Sequence, residues 1–103
     1  MHHALMVLDW LIFNIFEDLN TNIKERLDIQ GGATIVSVEN EEWEKSGARP
    51  GFIITSIIGS GGRYRIGGAS DAIQILEENR GEEIVILGLY PNGQEYYFEV
   101  NIE

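Results

Sequence analysis

GGATIVSVENEEWEKSGARPGFIITSII, residues 31–58, holds two strand patterns and a capped helix within 28 residues. Positions 33–38, ATIVSV, are rich in β-branched side chains, which suit a pleated and half-buried surface, and predict a strand. Asn40 then offers a side-chain oxygen to the orphan N–H groups of a short helix, EEWEKS. The glutamates of that helix crowd its N-terminal end, where the dipole favours negative charge. Gly47 closes the helix, and Pro50-Gly51 marks a turn, because proline presets φ and glycine accepts positive φ. FIITSII, at 52–58, is an almost unbroken apolar run between turn residues, the pattern of a strand covered on both faces.

Upstream, Asn20-Thr21-Asn22 supplies candidate caps for a helix over IKERLDI. Ile23 and Leu27 share one face of it, Lys24, Glu25 and Asp28 point outward, and Gly31-Gly32 is expected to stop it. Downstream, GSGGRYRIGG at 59–68 reads as a mobile glycine-rich loop. ASDAIQILEENRG predicts a helix with Ala69, Ala72, Ile73 and Leu76 at core spacing and Gly81 as its stop. EEIVILGLY and QEYYFEVNI predict two strands joined by Pro91-Asn92-Gly93, a hairpin signal. The elements add up to one small α+β domain with a mostly antiparallel sheet and two to three helices.

The first sixteen residues, MHHALMVLDWLIFNIF, are the most apolar of the chain. Asp9 interrupts them, and the run is shorter than the ~20 residues of a membrane-spanning helix. No basic stretch precedes them and no small-residue cleavage site follows, so a signal peptide fits poorly. Residues 1–11 read as a tag and apolar lead-in, with His2-His3 directly behind Met1, and the domain proper occupies 12–103. If exposed, residues 4–16 would offer Leu5, Val7, Leu8, Trp10 and Leu11 as a self-association patch.

Composition excludes several classes. The 103 residues carry seven Lys+Arg against 17 Asp+Glu, a formal charge of −10, so a nucleic-acid polyanion would be repelled and no basic cluster offsets that. Without cysteine there is no disulfide framework and no thiolate metal site, and two adjacent histidines lack a third ligand. A phosphate-cradling GxGxxG fails at Tyr64, and a P-loop fails for want of a lysine. Asp18-Leu19-Asn20-Thr21-Asn22 opens like a calcium loop, but Ile23 and Ile29 stand where glycine and glutamate are required. Serine hydrolysis needs a general base, and no histidine lies outside the lead-in. The acidic residues read as a solvated face. The chain is expected to be noncatalytic, without cofactor or metal.

Taken together, GGATIVSVENEEWEKSGARPGFIITSI resembles the strand, short helix, turn and buried strand of a PDZ domain. More narrowly it is similar to the PDZ domains of the HtrA/Deg family of serine endopeptidases. Phe52, where aspartate is commonest, and GLYPNGQEYYF at 88–98 resemble the second PDZ domain of Deg proteases from Bacteroidetes-type bacteria, as does the lead-in FEDLNTNIKERLDIQGG. The resemblance spans about 13–103 and implies a PDZ-like fold, a small sheet or partial barrel.

It also implies a function. PDZ domains add an extended peptide as a strand beside an edge strand and a helix, and backbone N–H groups of a loop hold the terminal carboxylate. That loop would correspond to Ile12, Phe13, Asn14, Ile15 and Phe16, where no glycine stands and Asn14 best tolerates a left-handed backbone. The groove helix would run from Ser70 to Asn79, with Ser70, Gln74 and Glu77 beside the peptide and Ile73 facing the core or flooring the pocket. Implied partners are C-terminal or extended segments of protein substrates and the protease domain of the parent chain, in a bacterial periplasm or cell envelope. An alternative is a PDZ-like assembly domain whose groove is closed or occupied by its own apolar segment.

Overall fold

The computed structural model describes residues 14–102. The expectations for residues 1–11, Ile12 and Phe13 lie outside the described residues. Asparagine starts the first two helices. The Asn20 Oδ1 accepts from the Ile23 N–H at 2.9 Å and opens α1 (Thr21–Leu27). The Asn40 Oδ1 accepts from the N–H groups of Glu42 and Trp43 and opens α2 (Glu41–Ser46), which Gly47 ends with φ of 101°. The third helix, α3 (Ala69–Glu78), starts from Gly68 and has no cap within its own sequence.

The described residues also form six strands: β1 (Asn14–Asp18), β2 (Ala33–Val38), β3 (Ile53–Gly59), β4 (Gly62–Arg65), β5 (Glu83–Leu89) and β6 (Glu95–Asn101). They form one antiparallel sheet in the order β1-β2-β3-β5-β6, with β4 also paired to β3. β2 and β4 share one side of β3: Thr34 and Ala33 oppose Ile53 and Ile54, while Arg65 through Gly62 oppose Ser56 through Gly59. Among the described residues the sheet is open, with β1 and β6 at its edges. This is the mostly antiparallel α+β arrangement that the sequence predicts, with three helices among the described residues where two to three are expected, and it is consistent with a PDZ-like architecture.

One face of the sheet carries the main core. Ile35, Ile54, Ile57, Ile84, Ile86 and Val100 pack with Trp43 from α2 and with Ala72 and Leu76 from α3. Phe52 lies edge-on to Tyr90 and Phe98, with ring centroids 5.1 and 4.9 Å away, and Phe16 lies edge-on to Trp43 at 5.8 Å. α1 covers part of the opposite face, where Ile23, Leu27 and Ile29 pack on Leu19, Ile53 and Leu89.

Two local expectations change. Residues 59–68 are not simply a loop, because β3 and β4 form a hairpin there. Helix α1 ends at Leu27, ahead of Gly31-Gly32, because Asp28 takes a left-handed φ of 54° and turns its N–H back onto the carbonyls of Glu25 and Lys24.

Gly88 is required by close approach. A Cβ there would run into the Ile53 carbonyl oxygen and stand 3.1 Å from the Phe52 ring. Gly88→Ala is expected to lower stability by about 1–3 kcal/mol, the range for overpacking. The check is urea unfolding, with the midpoint falling at unchanged m-value.

Candidate functional site

β1 has a partner on one side only. Asn14 through Asp18 pair with Val38 through Ala33 of β2, and among the described residues no strand takes the other side. Between Ile15 and Phe16 the register shifts, so that Val36 of β2 is passed over and stands 41% exposed. Such a bulge increases local twist and re-aims the edge strand. α3 packs against β1, β2 and β3, so a helix lies beside this edge.

The end of β1 is tied to the start of α3. The Asp18 Oδ1 accepts from the Ala69 N–H at 2.7 Å, which supplies the cap that Gly68 cannot. A carboxylate at this helix end also meets the positive end of the helix dipole. The Asp71 Oδ2 accepts from the Gly67 N–H at 2.8 Å and holds the same turn from inside the helix. The segment entering α3 crosses the segment entering β2 with almost no separation. The Gly32 N–H donates to the Gly67 carbonyl, and a Cβ on Gly31 would fall 2.6 Å from that same oxygen. A Cβ on Gly68 would fall 2.6 Å from the Asp18 Oδ1. The two glycine doublets, expected to end a helix and to loosen a loop, are instead the crossing that sets α3 against β1.

At its other end α3 is fixed by Asn79, which is buried. Its Nδ2 donates to the Ile75 carbonyl at 2.7 Å, and its Oδ1 accepts from the Ser60 N–H in the β3–β4 turn at 3.3 Å.

The residues singled out from the sequence fall into groups. Asn14 and Ile15 stand in the β1 ladder opposite Val38 and Ser37. Phe16 turns inward and is 7% exposed, so β1 would meet a ligand here through its backbone. On α3, Ser70 and Gln74 are exposed, and Ile73 is half-buried against the core. Glu77 is half-buried and forms a two-pronged ion pair with Arg80, at 2.8 Å to Nε and 2.9 Å to Nη2. Asp18 and Asn79, which brace the two ends of α3, are not evident from the sequence: Asp18 lies 51 positions from the N–H it caps.

Among the described residues no group of three or more His, Cys, Asp or Glu side chains is placed to hold a metal, and no helix is long and apolar enough to cross a membrane. Comparison with protein-family models and with curated proteins finds no match.

Removing the Asp18 cap tests this geometry. Asp18→Ala is expected to cost about 0.5–2 kcal/mol, as loss of an N-cap does, with Asp18→Asn retaining much of it. Amide exchange at Ala69 and Ser70 in the alanine variant will be faster; protection equal to the parent's would show that the bond does not hold the helix start.

Proposed function

We propose that this domain binds an extended peptide by strand addition to β1, in the groove between β1 and α3. In this reading it is a noncatalytic, PDZ-like module of an HtrA/Deg-type serine protease. It recruits the C-termini of protein substrates or regulates the protease, in a bacterial periplasm or cell envelope. The observation that carries the reading is β1 itself, an edge strand unpaired on one side among the described residues, with a helix packed beside it. Open ladder positions are a template for another strand, and main-chain hydrogen bonds then supply affinity that depends little on sequence. Ser70 and Gln74 are free on the helix to contact alternate side chains, and Ile73 offers an apolar floor. The ion pair with Arg80 offsets the charge of Glu77, which would otherwise repel a peptide carboxylate in the groove.

One observation favours a second reading, a PDZ-like assembly domain with a closed groove. The Asp18–Ala69 bond joins the strand to the helix directly, so a longer peptide would have to pass or break it.

NMR titration with hydrophobic-ended peptides, each compared with its C-terminal amide, separates the two. Carboxylate reading predicts shifts over residues 12–18 and 70–77 that are lost on amidation. Silence across the peptides, with sedimentation showing self-association, would establish the assembly reading instead.

A further inference from the structure

The sheet face opposite the main core is only partly covered. Beyond α1, the register sets two rows of side chains across four strands. Arg65, Ser56, Leu87 and Tyr97 form one row; Arg63, Ile58, Val85 and Glu99 form the next. Directly opposed residues of antiparallel strands project from the same face, so each row is a continuous strip. Tyr97 is 66% exposed and Ile58 38%. The C-terminal turn of α1, the β5–β6 turn and β4 bound a groove of about 1340 Å³ on this face. Its lining includes Arg26, Arg63, Arg65, Thr55, Leu87 and Tyr97.

The charge distribution is unexpected for this chain. It has five arginines in a formal charge of −10, and three of the five line this groove. Among the described residues, none of the three has a carboxylate at ion-pair distance, although Asp28 and Glu95 line the same groove. The Arg26 Nη2 donates to the Pro91 carbonyl at 3.3 Å, and the Arg63 Nη2 reaches the Ser56 Oγ at 3.5 Å. The Arg65 guanidinium makes no hydrogen bond among the described residues. A guanidinium presents five N–H donors in a planar fork matched to a carboxylate, and Arg80 shows that pairing with Glu77 in this same molecule. In the groove most of those donors have no protein partner among the described residues.

We infer that this groove docks an acidic peptide segment of a partner protein, one whose carboxylates flank an aromatic or branched apolar residue. The carboxylates pair with Arg63, Arg65 and Arg26, and the apolar residue lies on Leu87 and the Tyr97 ring. A peptide suits the site better than a continuous polyanion. It can set neutral residues against Asp28 and Glu95, where a phosphate backbone would meet them with charge. The site lies on the opposite face of the sheet from the main core and is separate from the β1–α3 groove.

The test uses the full chain and a blocked peptide, acetyl-Glu-Glu-Tyr-Glu-Glu-amide, which has no terminal carboxylate for the β1–α3 groove to read. NMR shifts are expected at Thr55, Leu87, Tyr97 and the Arg63 and Arg65 side chains, with residues 70–77 unmoved. Replacing the four glutamates by glutamine, or making Arg63→Gln with Arg65→Gln, is expected to weaken binding about tenfold or more, the scale of one or two charge-assisted hydrogen bonds. The glutamine peptide leaves the protein unaltered, so that arm stands even if the double variant folds poorly. No shifts, equal binding of the glutamine peptide, or shifts confined to β1 and α3 would each overturn the inference.

Discussion

One long-range contact ties the start of α3 to the edge strand: the Asp18 carboxylate accepts from the Ala69 N–H. α3 lacks a capping side chain of its own, and its first turn would otherwise present orphan donors. The carboxylate comes from the last residue of β1, so one hydrogen bond joins the edge strand to the helix beside it. Beside it Gly67-Gly68 crosses Gly31 closely, where a Cβ on Gly31 would meet the Gly67 carbonyl and a Cβ on Gly68 would meet the capping Asp18 carboxylate. Strand, crossing and helix start are thus a single mechanical unit. At this end α3 is tied to β1 by one aspartate side chain, and at the other end it is held by Asn79.

The two faces of the sheet divide the chemistry. The inner face buries isoleucine, phenylalanine and tryptophan under α2 and α3, and α1 closes one end of the outer face with a small cluster around Ile53. What remains of the outer face is neither core nor plain surface. It is a floor of Leu87, Val85 and Tyr97 flanked by arginines. Arg63 and Arg65 reach this face because β4 alternates, which sends the intervening Tyr64 to the other side. A loop at 62–65 would not have given two guanidiniums a common direction.

Much of the fold is legible in the sequence, and the reasons are local. Asn20, Asn40 and Gly47 are capping residues whose partners lie within four positions, and the β-branched runs of β2 and β3 are bounded by turn residues. The helix over 69–78 follows from the spacing of Ala72 and Leu76, both buried. What the sequence hides is long-range. β4 is four residues inside a glycine-rich stretch and holds its shape through pairing with β3, which composition does not announce. Asp18 looks like one end of a failed calcium loop until the fold brings Ala69 to it. Arg26, Arg63 and Arg65 are spread over 40 positions, and only the sheet and α1 bring them to one groove.

The net charge of the chain acts differently on the two grooves. At physiological salt, charges separated by more than about 8 Å are largely screened, so the −10 field steers ligands only on close approach. A basic peptide approaching β1 and α3 would be attracted only by the acidic side chains close to it, which would raise its on-rate more than its final affinity. An acidic segment nearing the arginine groove is opposed at the periphery and attracted only once its carboxylates lie within reach of the guanidiniums. Its selectivity would therefore reside in the spacing of those carboxylates and in the apolar contact on Tyr97, not in charge alone. A strongly acidic chain with three arginines that have no carboxylate partner among the described residues, set into one groove, would discriminate against generic anions while leaving a matched one a place to bind.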